Sequence, residues 1–215
     1  MALSVESLNG DTSFLLTFDP PAAPLSSPGL FPGSFTILVD PWLSGPSIIL
    51  NSVFSHSVQR AKPSVASLRD LDREPDLVLI SQDKPDHCHE ATLRQLPPDC
   101  EATILAIPSA AKKIRSWKHF RPSLVHALPK IANDNRLIAP PGGTEIAKSL
   151  YAKAWISAHD ADKDNRGWAV KLTQIAQHAV DEVKKMVEEG VIRKTLPNTE
   201  VCSLRAGDKH RIAVG

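Results

Sequence analysis

The sequence is short of several things, and each shortage excludes something. Aromatic residues make up only 5% of the chain, too few for the stacking platform that binds single-stranded nucleic acid. The formal net charge is +1, so no global field recruits nucleic acid or an acidic membrane face. The cysteines, Cys88, Cys100 and Cys202, are three in number. That count is small and odd, which fits a reducing compartment better than a disulfide framework. Their spacing matches no standard zinc cassette, so they read as ordinary buried or half-buried thiols. No run of about 18 apolar residues occurs, so no membrane span is expected. Met1–Glu6 has neither the basic stretch nor the long apolar stretch of a secretory leader. These absences predict a soluble cytoplasmic protein that binds neither nucleic acid nor a membrane. They leave the oligomeric state open.

Core material is present in ordinary amount. Of 215 residues, 42% are hydrophobic and 23% charged, enough for one substantial core or two small ones. Proline is abundant, with 18 residues. It marks loops and discourages long helices over the first two-thirds.

In chain order, Val5–Leu8 predicts a strand, Asn9-Gly10-Asp11 a hairpin turn, and Ser13–Phe18 the returning strand. Asp19 to Gly33 is rich in Pro, Ser and Gly and reads as a loop. Ser34–Val39 is a third strand, followed at once by Asp40-Pro41. A carboxylate just past a buried strand is unfavourable unless paired or near the surface. Residues 47–70 are weakly patterned and read as irregular, with a short helix at Val65–Leu71. Leu77–Ile80 is a short apolar run of the kind that forms a buried strand. A helix follows around His89–Leu96, then a strand at Thr103–Pro108. Ser109 is the expected N-cap of a helix over Ala110–Trp117. Leu124–Leu128 is a short strand, and Pro140-Pro141-Gly142-Gly143 is the strongest breaker. Ala154–Ser157 is another apolar run, ending in a polar stretch from Ala158 to Asn165 that reads as a loop. Gly167 opens a helix with apolar residues at spacings of three and four, stopped at Gly190. Thr199–Leu204 is a last strand, and Gly207-Asp208 a turn before His210–Ile212.

The densest chemistry lies directly behind Leu77–Ile80, in Ser81-Gln82-Asp83-Lys84-Pro85-Asp86-His87-Cys88-His89-Glu90. Polar knots at the ends of buried strands are where α/β folds place their sites. Plainer roles are open for each member. Asp86 suits the N-terminal end of the following helix, where a carboxylate gains roughly 0.3–1 kcal/mol. His89 reads as a surface residue, and Asp40 as an anchor for a neighbouring loop.

Ser81 to His87 resembles, in degenerate form, the metallo-β-lactamase superfamily signature Ser/Thr-His-x-His-x-Asp-His. The surroundings resemble it too, with Val39-Asp40-Pro41 upstream, the strand and helix of 103–117 behind, and a late strand, Trp155-Ile156-Ser157-Ala158-His159, ending in a histidine. The resemblance covers most of residues 1–143 and again 151–212. It implies an α/β fold of the αββα sandwich type, as a single domain over 1–215. That domain is shortened in the middle, its halves 1–143 and 151–215 joined by the breaker. It also implies a small-molecule substrate or ligand, and a zinc-dependent hydrolase of an ester, thioester or lactone. One zinc ion would be held by Asp86, His87 and His159, with Asp86 also the catalytic carboxylate and Asp40 supporting the ligands from behind.

The departures carry equal weight. Gln82 and Lys84 stand where the superfamily has the two histidines of His-x-His. An amide is a poor zinc ligand, and an ammonium is a fixed positive charge where a cation should sit. The first metal position is therefore expected to be absent, with Lys84 taking its place and pairing with Asp83 or Asp86. This opens a second reading, a catalytically inactive scaffold that binds a small molecule or a partner. A third is a truncated fragment of a larger hydrolase.

Overall fold

A computed structural model of the chain describes residues 2–20, 33–129, 152–156, 158, 162–172 and 199–213. The chain divides into two compact units. One comprises Met1–Lys130, His159–Thr173 and Leu204–Gly215, the other Ile131–Ala158 and Gln174–Ser203.

The first unit is built on a seven-stranded mixed sheet, whose strands lie in the order Lys209–Ala213, Ala2–Ser7, Phe14–Asp19, Phe35–Val39, Leu77–Ile80, Thr103–Ala106 and Val125–Ala127. β1 (Ala2–Ser7) and β2 (Phe14–Asp19) form the expected hairpin, and β3 (Phe35–Val39) continues it antiparallel. Gly10 has φ +72 in the turn, and a Cβ there would stand 3.2 Å from the Ala206 backbone nitrogen. Glycine supplies both the conformation and the clearance. Beyond β3 the sheet turns parallel, through β6 (Leu77–Ile80), β7 (Thr103–Ala106) and β8 (Val125–Ala127). β12 (Lys209–Ala213) closes the other edge against β1.

Parallel strands need covering helices. α1 (Glu90–Leu93) and α2 (Pro108–Ser116) supply them. Val78, Ile80, Ile104 and Ala106 share one wholly buried core with Leu93, Ala110, Ala111 and Ile114. Leu77 and Leu79 point the other way and are only half-buried, so β6 alternates where its sequence reads as continuously apolar. α2 starts on Pro108, with Ile107 rather than Ser109 at its N-cap. Proline at the first helical position loses no hydrogen bond, because that N–H has no intrahelical partner.

Two expectations of irregular structure are corrected. β4 (Ser47–Ile49) and β5 (Ser55–Gln59) form a hairpin within 47–70, and β10 (Lys163–Arg166) pairs with β5 to make a three-stranded sheet. Neither stretch has a hydrophobic period. Their strands are held by backbone pairing with little apolar contrast to announce it. Gly167, with φ +115, follows β10, and a Cβ on it would meet the Phe54 carbonyl oxygen at 2.3 Å. A helix over Trp168–Leu172 begins there; the rest of the expected helix to Gly190 lies outside the described residues, as does the breaker at 140–143.

In the second unit, β9 (Ala154–Ile156) pairs in parallel with β11 (Glu200–Cys202). The Thr199 hydroxyl donates to the Ala152 carbonyl at 2.5 Å. Among the described residues, no helix is long and apolar enough to cross a membrane.

Candidate functional site

β3 and β6 run side by side in the same direction, with Val39 opposite Leu79. Their carboxyl ends therefore deliver Asp40 and Ser81 to one edge of the sheet. The Asp40 amide donates to the Leu79 carbonyl at 3.0 Å, so the register holds through the last residue. The backbone of Asp40 then turns to φ +42, a left-handed conformation that Asp tolerates better than most residues. Three donors converge on its carboxylate. They are the Ser81 amide at 2.7 Å, the Ser81 hydroxyl, and His87 Nδ1 at 2.8 Å. Asp40 is 4% exposed and His87 6%. The expectation that Asp40 must be paired is met, and its partner is the histidine of the candidate site.

Two opposed effects act on His87. Burial lowers its pKa, while the hydrogen bond and negative charge of Asp40, helped by Asp86 and Asp11, raise it. The second group wins, and the pKa lies above its ordinary value. With Nδ1 committed to Asp40, Nε2 is the ring nitrogen turned toward Asp86, 3.9 Å from its Oδ2. A carboxylate bonded behind one imidazole nitrogen is the arrangement that orients metal-ligating histidines. Asp86 and His87 thus fit one side of a metal site. Among the described residues, no group of three or more His, Cys, Asp and Glu side chains is arranged to hold a metal ion. His159 lies outside the described residues.

The first half of the knot is different. Gln82 and Lys84 are both exposed. The expected pairing of Lys84 with Asp83 or Asp86 is not found, and no ion pair of Lys84 occurs among the described residues. Lys113 instead reaches this loop, donating to the Asp83 carbonyl at 3.0 Å. An exposed ammonium keeps its hydration, and a surface ion pair adds little. The two side chains that depart from the superfamily pattern do not fit a metal.

His89 corrects a further expectation. It is buried, at 7% exposure, and it caps α1. Its Nδ1 accepts from the Thr92 amide at 3.3 Å and lies 2.9 Å from the Thr92 hydroxyl. Burial lowers its pKa. With His89 as N-cap, Asp86 is not the carboxylate of that helix terminus. Cys88 and Cys100 are buried free thiols, as expected. Burial pushes the Cys88 pKa up to about 11, so it is no nucleophile at neutral pH.

One part of the site has no warning in the sequence. The turn between β1 and β2, readable as an ordinary surface hairpin, is buried. Asn9, Asp11 and Ser13 are 0% exposed and Thr12 is 2%. Asn9 Oδ1 accepts from the amides of Asp11 and Ser13 at 2.8 and 3.0 Å, and its amide donates to the Trp42 carbonyl at 2.8 Å. The Thr12 hydroxyl donates to the Asp86 carbonyl at 2.9 Å. The Ser13 hydroxyl donates to the Asp40 carbonyl at 2.8 Å and accepts from the Trp42 amide at 2.7 Å. Lys163, from β10, reaches Asp11. Asn, Gly, Asp, Thr and Ser are the usual turn formers, so composition cannot distinguish this buried brace from an exposed turn.

The mixed sheet that carries this network has counterparts among known proteins. The family model for the beta-lactamase superfamily domain matches residues 31–176, more than half of the chain. The chain belongs to the metallo-β-lactamase superfamily. Among solved structures it is similar to Igni18, a novel metallo hydrolase from the hyperthermophilic archaeon Ignicoccus hospitalis KIN4/I. The TM-score is 0.53 and the identity 10%, with 100% of each chain covered. At that identity the likeness speaks for the fold. No curated protein sequence matches the chain significantly.

Proposed function

We infer that the protein is a hydrolase with one metal ion, zinc in the first instance, acting on a small-molecule ester, thioester or lactone in the cytoplasm. The observation that carries this reading is the bond from His87 Nδ1 to Asp40 at 2.8 Å. It commits one ring nitrogen to the protein and leaves the other beside Asp86. In this reading Asp86, His87 and His159 hold the ion. When bound, the ion lowers the pKa of its water toward neutrality. Asp40 holds the proton on Nδ1, so Nε2 is the nitrogen that would face the ion. In this reading Asp86 is also the carboxylate that would take a proton from an attacking water. The metallo hydrolase Igni18, which shares the fold, supports the same reading.

The test is a metal count on protein purified without a metal-binding tag. Roughly one equivalent of zinc, iron or manganese is expected, since three protein ligands and one open position make a single catalytic site. His87→Ala should abolish it, together with turnover of chromogenic ester, thioester and lactone substrates. Less than about a tenth of an equivalent in wild type, unaffected by His87→Ala, would sink the metal reading.

One observation favours a second reading, an inactive member that binds a small molecule or a partner protein. Gln82 and Lys84 replace two superfamily histidines, and both face solvent. A silent substrate panel together with absent metal uptake would select it.

A further inference from the structure

The buried turn and β10 meet in an ion pair that the reaction read above does not use. Lys163 Nζ lies 3.0 and 2.9 Å from the two carboxylate oxygens of Asp11. The Lys163 side chain is 13% exposed and that of Asp11 0%. The ammonium also stands 5.8 Å from the centre of the Trp42 ring, within the range of a cation–π contact. Removing two charges from water is expensive, and apolar residues of the same volume are often as stable or more so. Stability alone is therefore a poor reason for this pair. A buried pair can instead specify register and geometry.

The geometry at stake is that of the site. Asp11 sits in a turn that braces the site from both sides. Its neighbour Thr12 holds the carbonyl of Asp86. Ser13, one residue on, holds the carbonyl of Asp40 and the amide of Trp42. Asn9 ties the amides of Asp11 and Ser13 into one rigid unit. A movement of Asp11 is thus passed to Asp86 and to Asp40 through single hydrogen bonds.

We propose that Lys163 is a positioning residue: by clamping Asp11 it sets the placement of the Asp86 carboxylate relative to the Asp40-bound ring of His87. Its consequence for metal affinity rests on the hydrolase reading; the geometry it controls exists without a metal.

The test compares Lys163→Met, Lys163→Arg and the double variant Asp11→Leu/Lys163→Met with wild type, all in the full chain. Zinc affinity of the metal-free protein is measured by competition with a chromophoric chelator. The His87 Nδ1 proton is followed without metal by nitrogen-15 NMR, as a downfield, slowly exchanging signal absent from His87→Gln. Lys163→Met should weaken zinc binding by roughly tenfold or more, the usual effect of losing an outer support, and should broaden or shift the His87 signal. Lys163→Arg should restore both. The double variant should regain the urea midpoint but neither zinc affinity nor the signal. Wild-type zinc affinity and an unchanged signal in Lys163→Met overturn the proposal. If that variant does not fold, the double variant decides by the same criterion. A double variant that recovers everything overturns it as well, because packing alone would then suffice. A double variant that does not fold also overturns it, since a pair that only positions is replaceable. If wild type binds no zinc, the metal reading fails, and the role of Lys163 stands or falls on the His87 signal alone.

Discussion

One loop carries two halves with opposite fates. Gln82–Lys84 lies on the surface, with its side chains at 82 and 84 in water. His87–His89, three residues on, is buried throughout. Every polar side chain in the buried half has a partner: His87 on Asp40, His89 on Thr92. The exposed half has Gln82 and Lys84 where the superfamily pattern has histidines, while half-buried Asp86 and buried His87 match it. The physical difference is the consequence of substitution. An exposed side chain can be exchanged with little effect on folding, whereas a buried histidine bonded to a carboxylate leaves an uncompensated charge behind when removed. The matching histidine sits where the fold also depends on it.

The comparison can be broken most directly at Asp40. Asp40→Ala strips an acceptor from the Ser81 amide, the Ser81 hydroxyl and His87. A loss of roughly 3–5 kcal/mol in urea unfolding is expected, and a loss below about 1 kcal/mol would mean that the buried half is not held as described. His89→Ala removes a helix cap and should lose about 1 kcal/mol while leaving metal content unchanged. A fall in metal content would place His89 in the metal site.

The two buried histidines should also differ in sign with pH. The pKa of His89 is lowered on folding. Its contribution to stability is complete above the unfolded value near 6.5 and is lost as pH falls from there through the lowered folded value. The pKa of His87 is raised. Its contribution is complete below 6.5 and is lost as pH rises through the folded value. Urea midpoints of wild type, His87→Gln and His89→Gln across pH 5 to 8 read the two limbs separately. Identical pH profiles for the two variants would erase the distinction. The smallest effect belongs to the exposed half. Gln82→Ala and Lys84→Ala should each stay within about 0.5 kcal/mol of wild type, as surface changes do. Metal content should also hold; a loss would give the exposed half a role in the site.

Much of this was legible from residues alone. The β1–β2 hairpin, β3, β6, β7 and β8 follow from apolar runs bounded by turn formers, and the structure places them where the patterns put them. The Ser81–His87 likeness pointed to the superfamily that the family model matches. Less visible were β4, β5 and β10, which have no hydrophobic period, and the burial of His89. The brace at Asn9–Ser13 was hidden for another reason: its residues are those of any exposed turn.

What the sequence determined by itself is local. Branched apolar runs specify strands, prolines and glycines end them, and the order of residue types in 81–87 restricts the chemistry to an Asp–His pair with its first histidines gone. What only the tertiary structure decided is which distant groups meet. Asp40 reaches His87 because β3 and β6 are parallel neighbours in one register. Lys163 reaches Asp11 across 152 positions of chain because β10 pairs with β5. No local pattern encodes such meetings. They follow from the order and register of the strands in the sheet, which fix where its strand ends, and the charges they carry, come together.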